Sequence, residues 1–211
     1  GRYGTKGSGE KKLEMDRRMV QKRIHQLEGE LEEVRKHRAT QRKRRERVPI
    51  PSCALVGYTN AGKSTLLNAM TDAEAFVEDK LFATLDPTTR RLEIGAGRPI
   101  LLTDTVGFIR RLPHDLVDAF HATLETAVEA DLLIHVVDAS HPDWESQRRV
   151  VDGVLTDLKA GEVPRLEVFN KADRLTPVRQ GSLRKDGRPA ISAVQGTGLD
   201  DLLLRVEEIL E

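Results

Sequence analysis

The pattern of apolar and polar residues changes once along this chain, at about residue 49. In residues 10–48 apolar residues recur at alternating intervals of four and three, the spacing that lines one face of a helix. After residue 49 short apolar runs alternate with segments of helical periodicity. The pattern predicts a long helix and then a strand–helix domain. The apolar seam of the helix consists of Leu13, Val20, Ile24, Leu27, Leu31 and Val34.

The second region predicts a doubly wound α/β domain with a mostly parallel sheet, because apolar strands that alternate with helices are typical of sheets covered on both faces. Segment 88–95 alternates as a half-exposed edge strand does. The other predicted strands are residues 53–57, 98–105, 131–139, 165–171 and 188–193. The predicted helices are residues 63–71, 116–130, 144–160 and 198–211.

Charge divides the chain at the same place. Residues 1–48 contain 16 Lys and Arg against eight Asp and Glu, a net charge of +8. Because the whole chain balances at 34 of each, residues 49–211 carry −8. Eight Lys and Arg lie within the thirteen residues 35–47. Such a cluster favours contact with nucleic-acid phosphates, although a solvated helix end also fits.

Three segments follow from these patterns. We expect a flexible Gly-rich segment over residues 1–9, a basic amphipathic helix and linker over 10–48, and a nucleotide-binding domain over 49–211. No stretch approaches the ~18 consecutive apolar residues of a membrane span. Cys53 is the only cysteine, which excludes an internal disulfide. We therefore expect a cytoplasmic protein without membrane contact.

A phosphate-binding loop follows the first predicted strand. Residues 57–64, "GYTNAGKS", fit the pattern G-x-x-x-x-G-K-[ST], whose backbone amides cradle phosphates at a helix N-terminus. Lys63 is expected to reach the outer phosphates, and the Ser64 hydroxyl to ligate Mg²⁺. The predicted nucleotide contacts here are Gly57, Tyr58, Thr59, Asn60, Ala61, Gly62, Lys63, Ser64 and Thr65.

Three later motifs indicate which base the site binds and which reaction it catalyses. In "DTVG", Asp104 is expected behind the Mg²⁺ ion, and the Gly107 amide at the γ-phosphate. In "NKAD", the Asp173 carboxylate can accept hydrogen bonds from guanine N1–H and its N2 amine, which adenine cannot offer. We therefore predict GTP rather than ATP, and we exclude a nucleoside kinase, which has no need of this motif.

The remaining contacts around the base follow from the same motifs. Asn170 is expected to bond the purine N7, and the stem of Lys171 to cover the ring. The backbone amides of "SAV" are expected to meet the guanine O6. The predicted nucleotide contacts of the three motifs are Asp104, Thr105, Val106, Gly107, Asn170, Lys171, Asp173, Ser192, Ala193 and Val194.

The chain resembles the translation-factor-related GTPases, and among them most closely the HflX family of ribosome-associated GTPases. "GYTNAGKSTLLNA", "LFATLDPTTRRL", "LLTDTVGFIRRLPHDLVDAFHATLE" and the upstream "LEMDRR" carry the resemblance. The resemblance implies GTP hydrolysis with Mg²⁺, large-subunit and rRNA binding, and splitting of stalled or idle ribosomes. Family members carry an N-terminal domain ahead of "GRGPGE", where this chain begins with "GRYGTKGSGE"; we expect a fragment or an engineered chain. We also expect a monomer.

The resemblance locates the first switch in residues 79–91, "DKLFATLDPTTRR". It favours Thr84 as the threonine that ligates Mg²⁺. Thr88, Thr89 and, less well, Thr59 stay open, and Thr88 and Thr89 also fit ordinary strand positions. The predicted catalytic residues are thus Lys63, Thr84 and Gly107. The predicted nucleotide contacts of the switch are Phe82, Ala83, Thr84, Leu85 and Asp86.

Hydrolysis without assistance is expected to be slow. Many GTPases place a water-orienting Gln after D-x-x-G, where this chain has Phe108. His114 and His121 fit helix or surface positions better than the role of a base. Asn60 has two open interpretations: it holds a K⁺ ion that neutralises phosphate charge, as in GTPases that it resembles, or it is a turn residue.

Two functions other than ribosome splitting stay open. One is a GTPase of ribosome assembly or RNA processing, with the same chemistry on a different ribosomal state. The other is a coiled-coil interaction module in which nucleotide gates self-pairing of the apolar seam. The arginines that flank the switches suit an rRNA contact, although each also fits a solvated charge: Arg90, Arg91, Arg110 and Arg111.

Overall fold

A computed structural model describes residues 17–23, 25, 50–71, 87–109, 127–158, 160–185 and 187–211. The chain divides into two units, residues 1–49 and residues 50–211. In the first unit, residues 17–23 and 25 are helical, and Met19 and Val20 are exposed. The other seam positions and the basic segment lie outside the described residues, so their roles stay predictions.

The second unit is built on a five-stranded sheet in the described residues. Its strands are β1 (Ser52–Gly57), β2 (Thr88–Ile94), β3 (Arg98–Asp104), β4 (Leu132–Asp138) and β5 (Arg165–Asn170). They lie in the order β2-β3-β1-β4-β5, with β2 antiparallel to β3 and the other pairs parallel. This sheet confirms the predicted α/β class, with the edge strand in the predicted place.

Four helices accompany the sheet in the described part of this unit: α1 (Lys63–Thr71), α2 (Trp144–Asp157), α3 (Pro177–Lys185) and α4 (Leu199–Leu210). Short 3₁₀ helices cover Ala160–Glu162 and Ala172–Arg174. Of the predicted helix 116–130, residues 127–128 are helical, and residues 116–126 lie outside the described residues. None of the described helices has the length and apolarity that crossing a membrane requires.

Both faces of the sheet are apolar, as the continuous hydrophobic strands predict. Along β4, Leu132, Ile134 and Val136 pack on the side of α1 and α4. Leu133 faces the opposite cluster, which includes Val151 and Leu155 of α2. Helices thus pack on both faces of the sheet, and the loops at the carboxyl ends of the strands extend from this packed core.

Residues 188–193 do not form the predicted strand. A single parallel bridge joins Ala190 to Phe169, flanked by hydrogen bonds from Phe169 N to Pro189 O and from Ile191 N to Phe169 O, each 2.8 Å. The chain then turns back, because Ser192 pairs with Thr197 in an antiparallel bridge. The apolar run therefore lies beside β5, but the prediction of a strand over its whole length was wrong.

Candidate nucleotide-binding site

Four parallel strands end in a row at one edge of the sheet. Their last residues are Gly57, Asp104, Asp138 and Asn170. Ligands of doubly wound sheets bind at this carboxyl edge, where the connecting loops leave the core. Three of these residues belong to predicted motifs, and Asp138 does not. The sheet therefore brings the separate motifs to one edge.

The phosphate loop (residues 57–64) joins β1 to α1 as predicted. A Cβ on Gly57 would stand 2.3 Å from the carbonyl oxygen of Val136, so only glycine fits beside β4. Gly62 has φ +93°, and a Cβ there would stand 2.3 Å from Nδ2 of Asn170. Asn60 has φ 61°, a left-handed backbone that Asn tolerates better than most residues. Close packing and backbone shape thus explain the loop's sequence.

Lys63 is buried beneath the loop. Its side-chain Nζ donates to the carbonyls of Gly57 at 3.3 Å and Tyr58 at 3.2 Å, and the residue is 6% exposed. Burial lowers the pKa of Lys63 to about 8, with the Asp104 carboxylate acting in the opposite direction. Anionic phosphate oxygens near Nζ would favour the charged ammonium and offset this burial. The geometry suits the predicted phosphate contact.

Ser64 and Asp104 form the oxygen cluster that suits Mg²⁺. Ser64 Oγ donates to Asp104 Oδ2 at 2.6 Å, and Asp104 is 1% exposed. Mg²⁺ prefers oxygen ligands, and a serine hydroxyl bound to it through a lone pair still donates its proton. The pair therefore fits the predicted arrangement, with Ser64 on the metal and Asp104 behind it. The described residues hold no cluster of three or more His, Cys, Asp or Glu that would suit another metal.

The "DTVG" segment lies against the phosphate loop. A Cβ on Gly107 would stand 2.7 Å from Thr59 Cα and 3.1 Å from Lys63 Nζ, so its backbone passes close to both. Thr105 Oγ1 donates to Leu55 O at 2.6 Å, and the Val106 side chain is buried. The predicted contacts of Thr105 and Val106 with a nucleotide are thus limited to their backbone.

Phe108 is a core residue. It is fully buried in the cluster that packs against α2. Its amide donates to Gly57 O at 3.0 Å, and its carbonyl accepts from Thr59 N at 2.8 Å. The position that carries a water-orienting Gln in many GTPases therefore fastens the switch to the phosphate loop and offers no polar side chain to a water.

Asn170 joins three loops through one side chain. It is 2% exposed, Nδ2 donates to Ala61 O at 2.9 Å, and Oδ1 accepts from Ala193 N at 3.0 Å. The phosphate loop, the guanine loop (residues 170–173) and the SAV loop (residues 192–194) are thereby held together. The predicted bond to the purine N7 depends on the remaining Nδ2 proton, because the other groups of this amide are used inside the protein.

Lys171 reaches back to the phosphate loop. Its Nζ donates to Asn60 O at 2.8 Å and to Asp138 Oδ2 at 2.7 Å, and its backbone has φ 63°. Asp173, two residues later, is exposed at this edge. The arrangement holds the Lys171 stem across the site and leaves the Asp173 carboxylate facing solvent. Both positions suit the predicted contacts with a guanine.

The SAV loop offers fewer amides than predicted. Ser192 N donates to Thr197 O at 3.0 Å, and Ala193 N donates to Asn170 Oδ1. Two of the three amides expected at the guanine O6 are therefore used within the fold, and Val194 is 78% exposed. The contacts of Ser192, Ala193 and Val194 with the guanine stay predictions.

Much of the first switch lies outside the described residues, and the predicted roles of Phe82, Ala83, Thr84, Leu85 and Asp86 stay predictions. Thr88 and Thr89 lie in β2, opposite Asp104 and Thr103, and the two hydroxyls of Thr89 and Thr103 are 2.9 Å apart. Arg90 donates to Thr71 Oγ1 at 3.2 Å, and Arg91 pairs with Glu93 at 3.5 Å. Arg110, Arg111, His114 and His121 are not described.

Comparison with known proteins shows which family this chain belongs to. Residues 52–171 match the family model described as "50S ribosome-binding GTPase", and residues 1–45 match that of the "GTP-binding GTPase Middle Region". GTPase HflX of Caldanaerobacter subterraneus is 56% identical over 210 residues, covering 100% of this chain and 48% of that protein. GTPase HflX of Escherichia coli is 44% identical over 214 residues, covering 100% and 50%. The chain spans about half the length of these relatives.

Solved structures show the same fold. A GTP-binding protein from Sulfolobus solfataricus in complex with GDP superposes with a TM-score of 0.65 at 28% identity, covering 94% of this chain and 60% of that one. Aquifex aeolicus Era bound to GDP and AlF₄⁻ gives a TM-score of 0.61 at 23% identity, covering 76% and 56%. At that identity the likeness to Era concerns the fold alone.

Proposed function

This chain belongs to the 50S ribosome-binding GTPase family and groups with the HflX GTPases, and from that membership we propose that it binds and hydrolyses GTP as a switch on the large ribosomal subunit. Its relatives are about twice as long, so the proposal concerns the part of the activity carried by these 211 residues. In more detail, we propose that the protein is a cytoplasmic monomer and that it splits ribosomes.

The observation that carries guanine-nucleotide binding is the Asn170 side chain. By bonding Ala61 O and Ala193 N it brings the phosphate loop and the two base-binding loops to one place. Phosphates and a guanine base bound there would contact loops that are already ordered with respect to one another. Pre-ordered loops favour tight binding, because little further ordering is required.

The residues divide the chemistry as follows. The phosphate-loop amides and Lys63 would hold the β- and γ-phosphates, and Ser64, with Thr84 as the favoured switch threonine, would hold Mg²⁺, which would neutralise phosphate charge. The Gly107 amide would contact the γ-phosphate. Since Phe108 is buried in the core, no side chain there orients the attacking water. We therefore expect slow hydrolysis by the isolated chain, which a partner or a cation would accelerate.

The test is GTP hydrolysis with and without large ribosomal subunits, in K⁺ and again in Na⁺. We expect subunits to stimulate the rate by at least about tenfold, since one well-placed charge or donor contributes that much or more. GTP binding without stimulation would contradict ribosome action by this chain. A second readout, dissociation of 70S ribosomes, separates splitting from a role in assembly.

Asn60→Gly distinguishes the two interpretations of Asn60. Glycine keeps the left-handed backbone but removes the side-chain amide. If Asn60 holds K⁺, the variant loses any advantage of K⁺ over Na⁺. If Asn60 is a turn residue, the variant hydrolyses GTP as the parent chain does in both salts.

A further inference from the structure

Asp138 ends β4 at the carboxyl edge of the sheet, directly beside Asn170 in the register of β4 and β5. Its carboxylate uses both oxygens. Oδ2 accepts from Lys171 Nζ at 2.7 Å, and Oδ1 accepts from Ser140 N at 3.0 Å and Ser140 Oγ at 2.6 Å. None of the nucleotide-binding motifs includes this residue. The two Ser140 bonds fix the Asp138 carboxylate independently of its contact with Lys171.

Lys171 is held at both ends. Its backbone follows β5 in the left-handed conformation, and its ammonium lies between the Asp138 carboxylate and the Asn60 carbonyl. The side chains of Lys171 and Asp138 are only 14% and 13% exposed. The four-carbon stem must therefore run from the guanine loop to the phosphate loop along one path. The aliphatic stem of Lys171, fixed in this way, offers an apolar surface at the position proposed for the base.

The charge on Asp138 is maintained by these contacts. Burial acts to raise the pKa of Asp138, but the Lys171 and Ser140 hydrogen bonds and the Lys171 charge outweigh it and hold the pKa below its ordinary value. The carboxylate is thus ionised at neutral pH. Without it, the Lys171 ammonium would keep only the Asn60 carbonyl, a weaker partner than a carboxylate.

We propose that Asp138 is a positioning residue for guanine-nucleotide binding: it holds the Lys171 ammonium against Asn60, and so fixes the lysine stem on the face of the base. The inference rests on the proposed function. Asp138 acts through Lys171 and does not itself contact the nucleotide. Its effect is therefore on the affinity and dissociation rate of the nucleotide and not on the hydrolysis step.

The experiment measures GDP affinity and GDP dissociation for the parent chain, Asp138→Ala, Lys171→Ala and the double variant. We expect Asp138→Ala to weaken GDP binding about tenfold, mainly through faster dissociation. Because both residues act through one contact, Asp138→Ala should add less than about twofold once Lys171 is Ala. Inosine diphosphate, which lacks the exocyclic amine, should lose affinity by the same factor as GDP.

The matched control is Asp152→Ala, which breaks the Asp152–Arg165 ion pair on the α2 side of the same sheet. It should leave GDP affinity unchanged, although it too removes an aspartate that is paired with a cation of this unit. If Asp138→Ala fails to fold, Asp138→Asn keeps the size and loses the charge, and should weaken GDP binding severalfold.

Three results would overturn the inference. They are unchanged GDP affinity in Asp138→Ala, an effect of the same size in the Lys171→Ala background, and a loss confined to GDP and absent for inosine diphosphate. The last result would assign the effect to Asp173. Failure of the parent chain to bind GDP would overturn the proposed function itself and the inference with it, so the two failures are distinguishable.

Discussion

Gly62 lies directly beneath the side-chain amide of Asn170, so close that a Cβ on residue 62 would stand 2.3 Å from Nδ2. The same amide donates to Ala61 O, the carbonyl next to it in the chain. A residue of the phosphate loop and a residue of the guanine loop, 108 positions apart, are therefore in direct contact. This contact holds the phosphate loop and the guanine loop in one arrangement.

Gly62→Ala should abolish nucleotide binding while the chain still folds. The methyl group would displace Asn170 and strain the backbone at φ +93°, so the hydrogen bonds to Ala61 and Ala193 would be lost together. Calorimetric titration with GDP is the measurement.

Gly153→Ala is the matched control, since a Cβ there meets no atom within 4 Å and the residue lies inside α2. It should raise stability by roughly 0.5–1 kcal/mol through helix propensity and leave GDP affinity as it is. Equal GDP affinity in the two variants would refute the role given to the Gly62–Asn170 contact.

Lys63 should make the nucleotide-free chain less stable at neutral pH than in mild alkali. Its pKa is lowered from 10.5 to about 8 in the folded chain, so the unfolded chain binds more protons between those pH values. Stability should therefore rise from about pH 8 towards pH 10.5, by on the order of 1–3 kcal/mol from this residue. Chemical unfolding at pH 7 and pH 9 measures the difference.

Lys63→Met tests the assignment of that pH dependence. Methionine fills the space without a charge, so the nucleotide-free variant should be more stable than the parent at pH 7 and should not bind GDP. A variant with the parent's pH dependence would show that another group is responsible.

His135 should make the fold sensitive to acid. It is 1% exposed on β4 and faces Glu167 and Arg165 of β5 together with Arg148 and Asp152 of α2, while Lys63 also acts on it. Burial, followed by the charge of Arg165, lowers its pKa to about 4 from 6.5. Between these two pH values the unfolded chain binds a proton at His135 that the folded chain does not bind. The free energy of unfolding should therefore fall as the pH drops from about 6.5 to 4, by on the order of 1–3 kcal/mol.

His135→Leu should remove this part of the acid sensitivity and move the acid unfolding midpoint to lower pH. Urea unfolding at pH 7 and pH 5 gives the comparison. The explanation fails if both proteins lose the same stability between those two pH values.

The sequence patterns predicted the parts of the site that depend on local chemistry. The phosphate loop, "DTVG" and "NKAD" each need particular residue types at fixed spacing, and parallel strands bring their ends to one edge. The contacts between the loops were not predictable in this way. The Asn170 bonds to Ala61 and Ala193 join segments that meet only through the fold.

Two other features were missed for physical reasons. Asp138 ends an apolar strand, and the one signal it gives is a carboxylate at the carboxyl end of β4. Helix α3 has no apolar stripe; Gln180 anchors it by donating from Nε2 to Ala172 O at 2.6 Å and Leu175 O at 3.3 Å. Hydrophobic periodicity cannot reveal a helix that is held by polar contacts.

The most direct test of guanine-nucleotide binding at this site is the base preference of Asp173→Asn. Aspartate accepts from the guanine N1–H and N2 amine, whereas asparagine can donate to the 2-carbonyl of xanthine. The parent chain should bind GDP and not xanthosine diphosphate, and the variant should reverse that order by at least about a hundredfold in the affinity ratio. Equal affinity for GDP in the parent and the variant would contradict the assignment of Asp173 and of the site built around it.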